Sequence, residues 1–241
     1  MRAIILAGGK GVRLAPVTDV IPKPLVPLGG RPIMEIVIRQ LQRHGFRRIT
    51  LAVGYMADLI RAYFGDGAKL GVDIDYSYES RPLGTIGPLA LIDGLDDTFL
   101  VINADVLTDL NYEDLVNFHK THGGVATIGA YQRQVTIDLG IIKADGGHRV
   151  QSYIEKPTVS HLVSMGVYVF EPHILSYIRG NGYLDFPDLV SMLLKEGQQV
   201  SYLPHNGYWL DIGRHDDYAQ AAEQFETLNR KLGLLPPITD R

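Results

Sequence analysis

At 241 residues the chain is long enough for one large domain or two small ones, and 46% apolar against 21% charged residues is the balance of an ordinary globular enzyme. A net charge of −4 argues against a general nucleic-acid or membrane binder, so any cationic site must be local. The lack of cysteine removes disulfides, thiolate nucleophiles and cysteine-ligated zinc, and no stretch has the apolar length of a bilayer span.

In chain order, "RAIILAGG" reads as a buried strand that opens at once, without a cationic lead joined to a long apolar run, which predicts no signal peptide and a cytoplasmic protein. A long loop follows, holding Gly8, Gly9 and Gly11, the cations Arg13 and Lys23, and prolines at 16, 22, 24 and 27. Residues 32–44 read as a helix opened by Pro32, with Ile33, Ile36, Val37 and Leu41 on one face and Gly45 at its end. "RRITLAVG", "VDIDYSYE" and "TFLVINAD" read as further strands. Helical stretches are predicted at 57–64 and in "GPLALIDGL", and Asn111 is placed to cap "YEDLVNFHKTH". Such alternation predicts a parallel sheet with helices on both faces, and ligands at the carboxyl ends of its strands. Three polar clusters fall there: the loop at Gly8, the loop after Glu79, and Asn103 to Asp105.

The second half is β-rich. "VATIGAYQ", "LGIIKAD", "RVQSYIEK" and "LVSMGVYVF" are closely spaced strands, with a turn at Asp145-Gly146-Gly147. "FPDLVSMLLKEG" and "HDDYAQAAEQFETLN" are amphipathic helices, the latter with Tyr218, Ala221, Ala222, Phe225 and Leu228 on one face. No linker or repeat divides the chain. The expectation is therefore one α/β domain over residues 1–241, its strand-helix part at about 1–110 and its β-rich part at about 111–241.

Glycines after a strand bring backbone N–H groups within reach of a phosphate. A Walker loop requires Ser or Thr after the lysine, yet Lys10 is followed by Gly11. A dinucleotide loop requires a third glycine at a helix start, where this chain has Leu14 and then Pro16. The second mismatch argues against a dinucleotide-dependent oxidoreductase.

The stretches Leu6 to Thr18 and Pro22 to Pro27 instead match L-A-G-G-x-G-x-R-L-x-P-x-T and P-K-x-L-x-P in order and without gaps. In this the chain resembles the sugar-1-phosphate nucleotidyltransferases, or nucleotide-sugar pyrophosphorylases, and "PLGTIGPL" and the compact length resemble their guanylyltransferase branches. "INADVL", "YIEKP", "MGVYVF" and "YWLDIG" extend the likeness over nearly the whole chain. The resemblance implies a Rossmann-like, mostly parallel sheet flanked by helices with a β-rich sugar-binding half. It also implies the reaction of an NTP with a sugar 1-phosphate to give an NDP-sugar and pyrophosphate, with Mg²⁺.

The physics agrees with that reaction. Two unit charges at about 4 Å repel by about 1 kcal/mol in water and about 4 at an effective dielectric of about 20, and polyanions repel more. Positioning and neutralisation then carry catalysis. A phosphomonoester is already an anion near neutral pH, since its second pKa is about 6, so no protein base is required.

By resemblance Arg13 grips the leaving pyrophosphate and Lys23 bridges donor and acceptor. Leu6, Ala7, Gly8, Gly9, Gly11, Gly84, Thr85 and Asn103 hold the nucleotide, and Asp105 and Asp211 hold the metal. Glu79 only accepts hydrogen bonds, which suits the adjacent N1–H and N2–H₂ donors of guanine; many thymidylyl- and uridylyltransferases have glutamine near this point. Gly140, Glu155, Lys156 and Gly166 are assigned to the sugar phosphate. Leu139 stands where the family usually has tyrosine, and Ser164-Met165-Gly166 where an asparagine followed by a small residue is frequent, so a sugar other than the commonest ones, or less polar recognition of it, is expected.

Asp109, Asp216 and Asp217 are read as helix-start residues, and Tyr76, Tyr78, Tyr168 and Tyr177 as core. The eight histidines lack H-x-x-x-H spacing. The expected partners are an NTP, with GTP favoured, and a mannose-like, heptose or amino-sugar 1-phosphate, without nucleic acid or membrane; a homo-oligomer is compatible with the sequence. A uridylyl- or thymidylyltransferase, or a catalytically silent nucleotide-sugar sensor on the same fold, are the alternatives.

Overall fold

The computed structural model describes residues 1–178 and 182–232. In chain order the strands and helices are β1 (Arg2–Ala7), β2 (Pro27–Leu28), β3 (Arg31–Pro32), α1 (Ile33–Arg43), β4 (Arg48–Val53), α2 (Ala57–Phe64), β5 (Asp73–Tyr78), β6 (Phe99–Asn103), β7 (Val106–Thr108) and α3 (Tyr112–His122). There follow β8 (Ala126–Thr136), β9 (Ile141–Ala144), β10 (Val150–Ile154), β11 (Thr158–Phe170), α4 (Phe186–Lys195), β12 (Val200–His205), β13 (Trp209–Asp211), α5 (His215–Glu223) and α6 (Phe225–Lys231).

Seven strands form one sheet in the order β12-β8-β11-β6-β1-β4-β5. β1 runs parallel to β4 and β6, β4 to β5, and β8 to β12; β11 alone is antiparallel to its neighbours β6 and β8. Alternation along β1 divides the core. Ala3, Ile5 and Ala7 face a cluster completed by Met34, Val37 and Leu41 of α1, Ile60 of α2 and Leu115 of α3. Ile4 faces the other side, where Ala52, Val101, Phe170 and Leu189 and Leu193 of α4 meet. The helical period read from residues 32–44 is borne out, with Ile33, Ile36, Val37 and Leu41 fully buried. Asn111 caps α3 by accepting from Glu113 and Asp114 N–H at 2.9 and 3.4 Å.

Several local expectations are corrected. "GPLALIDGL" makes only a 3₁₀ segment, Gly87–Leu91, because Pro88 fixes its start and Asp93-Gly94 cannot continue it. The final amphipathic stretch breaks at Gln224 into α5 and α6, which turns Ala222 to solvent while Ala221 stays buried. Tyr78 is exposed, whereas Tyr168 and Tyr177 are core residues. Asp217 does bond back to Arg214 N–H at the start of α5, at 2.8 Å. Asp109 instead accepts from Tyr208 N–H at 2.6 Å and contacts His205 Nε2 at 2.7 Å. The Leu228 side chain and the tail "LLPPITDR" lie outside the described residues.

β8 and β11 outrun the sheet. Their outer halves pair from Thr136↔Thr158 to Ala130↔Ser164, and the β9–β10 hairpin continues the ribbon. Asp145 accepts Gly147 and Arg149 N–H at the hairpin tip, at 2.8 and 3.0 Å, closing the expected turn. Nearly every ribbon side chain is exposed.

Candidate active site

The loop between β1 and α1 is shaped before any ligand arrives. It winds through three 3₁₀ turns, Val12–Leu14, Val17–Asp19 and Lys23–Leu25. Leu14, Val26 and Leu28 are buried in a small cluster with Ile33, Leu107, Ile212 and Ala221. Tyr218 donates to Pro27 O at 2.6 Å, and Thr18 Oγ1 donates to Gly11 O at 3.0 Å. Gly11 sits at φ +65°, and a Cβ there would come within 2.9 Å of Lys23 Cβ, so glycine is what lets the loop fold back on Lys23. The prolines at 16, 22, 24 and 27 restrict the loop's backbone, and the buried apolar anchors add a second cause of its fixed shape.

This loop walls a cavity of about 750 Å³ at the carboxyl ends of β1, β4 and β6. Of the sequence-selected residues, Leu6, Ala7, Gly8, Gly9, Gly11, Arg13 and Lys23 line it from the first strand and its loop. Glu79, Gly84, Thr85 and Asp105 line it from the loops that follow β5 and β6, and Asn103 from the end of β6. A Cβ at Gly9 would meet only open space, so the backbone there faces the cavity unobstructed.

Asp105 and Asp211, far apart in sequence, meet because β13 pairs antiparallel with β7, setting Asp211 opposite Val106. Ile212 N–H also donates to Asp105 O, at 3.0 Å. Lys23 Nζ pairs with Asp105 Oδ2, and the Arg13 guanidinium lies beside Gly213. Burial, with the Asp105 charge adding to it, pushes the Asp211 carboxyl up to about 6, against the pull of Lys23 and Arg13. Its Oδ1 is buried without a hydrogen-bond partner. Two hard carboxylates, one with an orphaned oxygen, fit a divalent ion of the Mg²⁺ type, a hard cation that takes oxygen ligands. Among the described residues no cluster of three or more His, Cys, Asp or Glu forms a closed cage.

Glu79 reaches over the ends of β1 and β4, where a Cβ on either Gly8 or Gly54 would collide with it. Oε2 accepts Leu83 N–H at 3.2 Å. Burial raises the carboxyl above its ordinary value, with the Leu83 bond working the other way. Thr85 is committed to the protein, its N–H donating to Asp185 Oδ1 at 3.0 Å and its Oγ1 accepting Phe186 N–H at 2.7 Å. Asp185 itself lines the cavity. The sequence reading missed it, because an aspartate before "FPDLV" looks like the cap of its own helix, yet its side chain makes no such cap.

The residues assigned to the sugar are not gathered in the same way. Gly166, at φ +74°, is a packing position, where a Cβ would come within 2.6 Å of Asn103 Nδ2. Gly140, Glu155 and Lys156 belong to the ribbon and are not among the residues that wall the cavity. Lys156 Nζ pairs with Asp138 Oδ1 at 2.6 Å. The Tyr153 ring occupies the space beside Gly140, and its hydroxyl donates to Glu155 Oε2 at 2.8 Å. A phenol thus stands next to Gly140 although Leu139 is not a tyrosine.

The sequence profile of the Nucleotidyl transferase family matches residues 2–227. The chain belongs to that family. It is 35% identical over 241 residues to a UTP–glucose-1-phosphate uridylyltransferase of Synechocystis, covering 92% of this chain and 62% of that protein. It is 37% identical over 227 residues to the mannose-1-phosphate guanyltransferase beta-B of Xenopus laevis, covering 90% and 62%. The chain thus spans 62% of the length of both relatives. Among solved structures, a putative glucose-1-phosphate thymidylyltransferase from Bacillus anthracis superposes with a TM-score of 0.75 at 26% identity, covering 92% of this chain and 94% of that one. HddC from Yersinia pseudotuberculosis follows at 0.72 and 27%, covering 93% and 99%. The nucleotidyltransferase fold is therefore the fold of this chain, and none of its described helices is long and apolar enough to cross a membrane.

Proposed function

We propose that this family member transfers a nucleotidyl group from an NTP, with GTP preferred, to a mannose-like, heptose or amino-sugar 1-phosphate. The phosphate oxygen of the sugar attacks the α-phosphorus, the α–β bridging bond breaks, and pyrophosphate leaves with the electron pair. The observation that carries the reading is the convergence of Arg13, Lys23, Asp105 and Asp211 beside the glycine loop.

Each residue has a role that follows from its chemistry. Backbone N–H groups at Gly8 to Gly11 face the phosphates. Arg13 offers a planar fork to the departing pyrophosphate, and Lys23 a compact charge to the oxygens shared by donor and acceptor. Asp105 and Asp211 would hold Mg²⁺, which supplies further neutralisation of phosphate charge when bound. Glu155 would receive sugar hydroxyls, and Lys156 the sugar phosphate once it leaves Asp138.

The base preference rests on Glu79, since an acceptor-only carboxylate matches the donors of guanine and opposes the carbonyls of uracil and thymine. The names of the Xenopus relative and of HddC in complex with GMP-PN support it, while the Synechocystis and B. anthracis names support the uridylyl or thymidylyl alternative.

The test is pyrophosphate release by the purified protein, given ATP, CTP, GTP, UTP or dTTP with a panel of sugar 1-phosphates and Mg²⁺. GTP should give the highest kcat/KM. A clear preference for UTP or dTTP would overturn the guanine assignment, and stoichiometric nucleotide-sugar binding without turnover would mark a sensor.

A further inference from the structure

The loop after Glu79 is held by the second half of the chain, and the hold is specific. Leu184 N–H donates to Leu83 O at 2.9 Å, and Leu184 O accepts Ile86 and Gly87 N–H at 2.9 and 3.1 Å. Next to this short ladder, Asp185 Oδ1 accepts Thr85 N–H, while Thr85 Oγ1 accepts Phe186 N–H. The exchange is reciprocal, and it occupies the N–H and the hydroxyl oxygen of Thr85. Gly84, at φ +78°, fits only because it lacks a Cβ, which would approach Leu184 O within 2.6 Å and Asp185 Oδ1 within 2.8 Å. Tyr183 donates to the second oxygen, Asp185 Oδ2, at 2.6 Å. Asp185 therefore has one oxygen on the loop and one on its own segment, and still lines the cavity.

We propose that Asp185 is a positioning residue for the nucleotide base: it fixes the Leu83–Gly87 loop against the start of α4, and so sets the wall against which the base is selected. This rests on the nucleotidyltransferase reading above. What the role requires of Asp185 is an acceptor at Oδ1, not a negative charge. That requirement separates it from a residue that contacts the base directly, and from one that merely stabilises the fold.

The experiment uses the full chain and the NTP that the wild-type protein turns over fastest. Asp185→Ala should raise KM for that NTP about tenfold, the size expected for losing one hydrogen bond to a charged group. It should narrow the discrimination between purine and pyrimidine triphosphates, and leave kcat and the sugar-phosphate KM within about twofold. Asp185→Asn keeps an acceptor and should restore KM close to wild type. Thr85→Val keeps the N–H that Asp185 accepts and removes the acceptor for Phe186 N–H, the other half of the same latch, so it should raise KM less than Asp185→Ala.

The proposal is overturned if Asp185→Ala leaves KM for NTP and base discrimination unaltered, if it shifts the sugar-phosphate KM instead, or if Asp185→Asn is as impaired as Asp185→Ala. Should Asp185→Ala fail to fold by circular dichroism, Asp185→Asn and Thr85→Val still decide it: a raised KM in Asp185→Asn, or an unaltered KM in Thr85→Val, refutes it. A wild-type protein that turns over no NTP would instead refute the proposed function, which this comparison of variants keeps separate.

Discussion

The loop that carries Arg13 and Lys23 and the ribbon that carries Glu155 and Lys156 are built on opposite principles. Leu14, Val26 and Leu28 pin the loop into a buried cluster, and its side of the cavity is walled in advance. The ribbon is an antiparallel pair with solvent on both faces. Directly paired residues such as Ile141 and Ile154, or Ile142 and Tyr153, are exposed rather than packed on a core. A preformed cradle lowers the ordering cost of a triphosphate, whereas a two-stranded ribbon has little tertiary support of its own. The loop assigned to the phosphates is thus anchored by buried contacts, and the segment assigned to the sugar is not.

That contrast can be broken most sharply at the centre. Lys23→Ala or Asp105→Ala should lower turnover by about 100-fold or more with the circular dichroism spectrum unchanged. Wild-type pyrophosphate release in either purified variant would remove the loop from the chemistry. Next in size, Leu28→Ala should cost about 2–5 kcal/mol in urea unfolding, while Ile142→Ala on the ribbon should stay within about 0.5 kcal/mol. Equal losses would mean that the two regions are supported alike.

Smaller effects test the assignment of substrates. Lys156→Ala should raise KM for the sugar 1-phosphate about tenfold, in line with one charge-assisted contact, and leave KM for the NTP unaltered. A change confined to the NTP would place Lys156 on the wrong substrate. The smallest expected effect is on stability at Glu79. Burial raises its carboxyl above the ordinary value, so the folded state pays for the charge once pH rises through that raised value. Glu79→Gln should therefore raise Tm at pH 7 by a few degrees at most, and the gap should close as pH falls below the ordinary carboxylate range. A gap that widens toward acid pH would reverse the sign of the argument.

The glycine loop, its two cations and Asp105 were legible because local rules act on neighbours in sequence: a strand, a turn that needs glycine, a polar strand end. The apolar periods of α1 and of β1 placed the core in the same way. β12 was missed because Pro204 and alternating polar residues blur its pattern, and such a strand is tolerated only at the sheet edge that it occupies. Asp185 was missed because nothing near it in sequence reveals that its partner is Thr85, a hundred residues earlier.

By itself, then, the sequence determined the strand-helix alternation, the glycine-rich loop after β1 and the chemical types present at the centre, all of which depend on short-range backbone geometry and on the identity of side chains. Only the tertiary structure decided that Asp211 meets Asp105 through the β7–β13 pairing, that Asp185 latches the loop after Glu79, and that the ribbon stands out in solvent. Those outcomes depend on which distant segments bury surface against one another, and no local pattern encodes that choice.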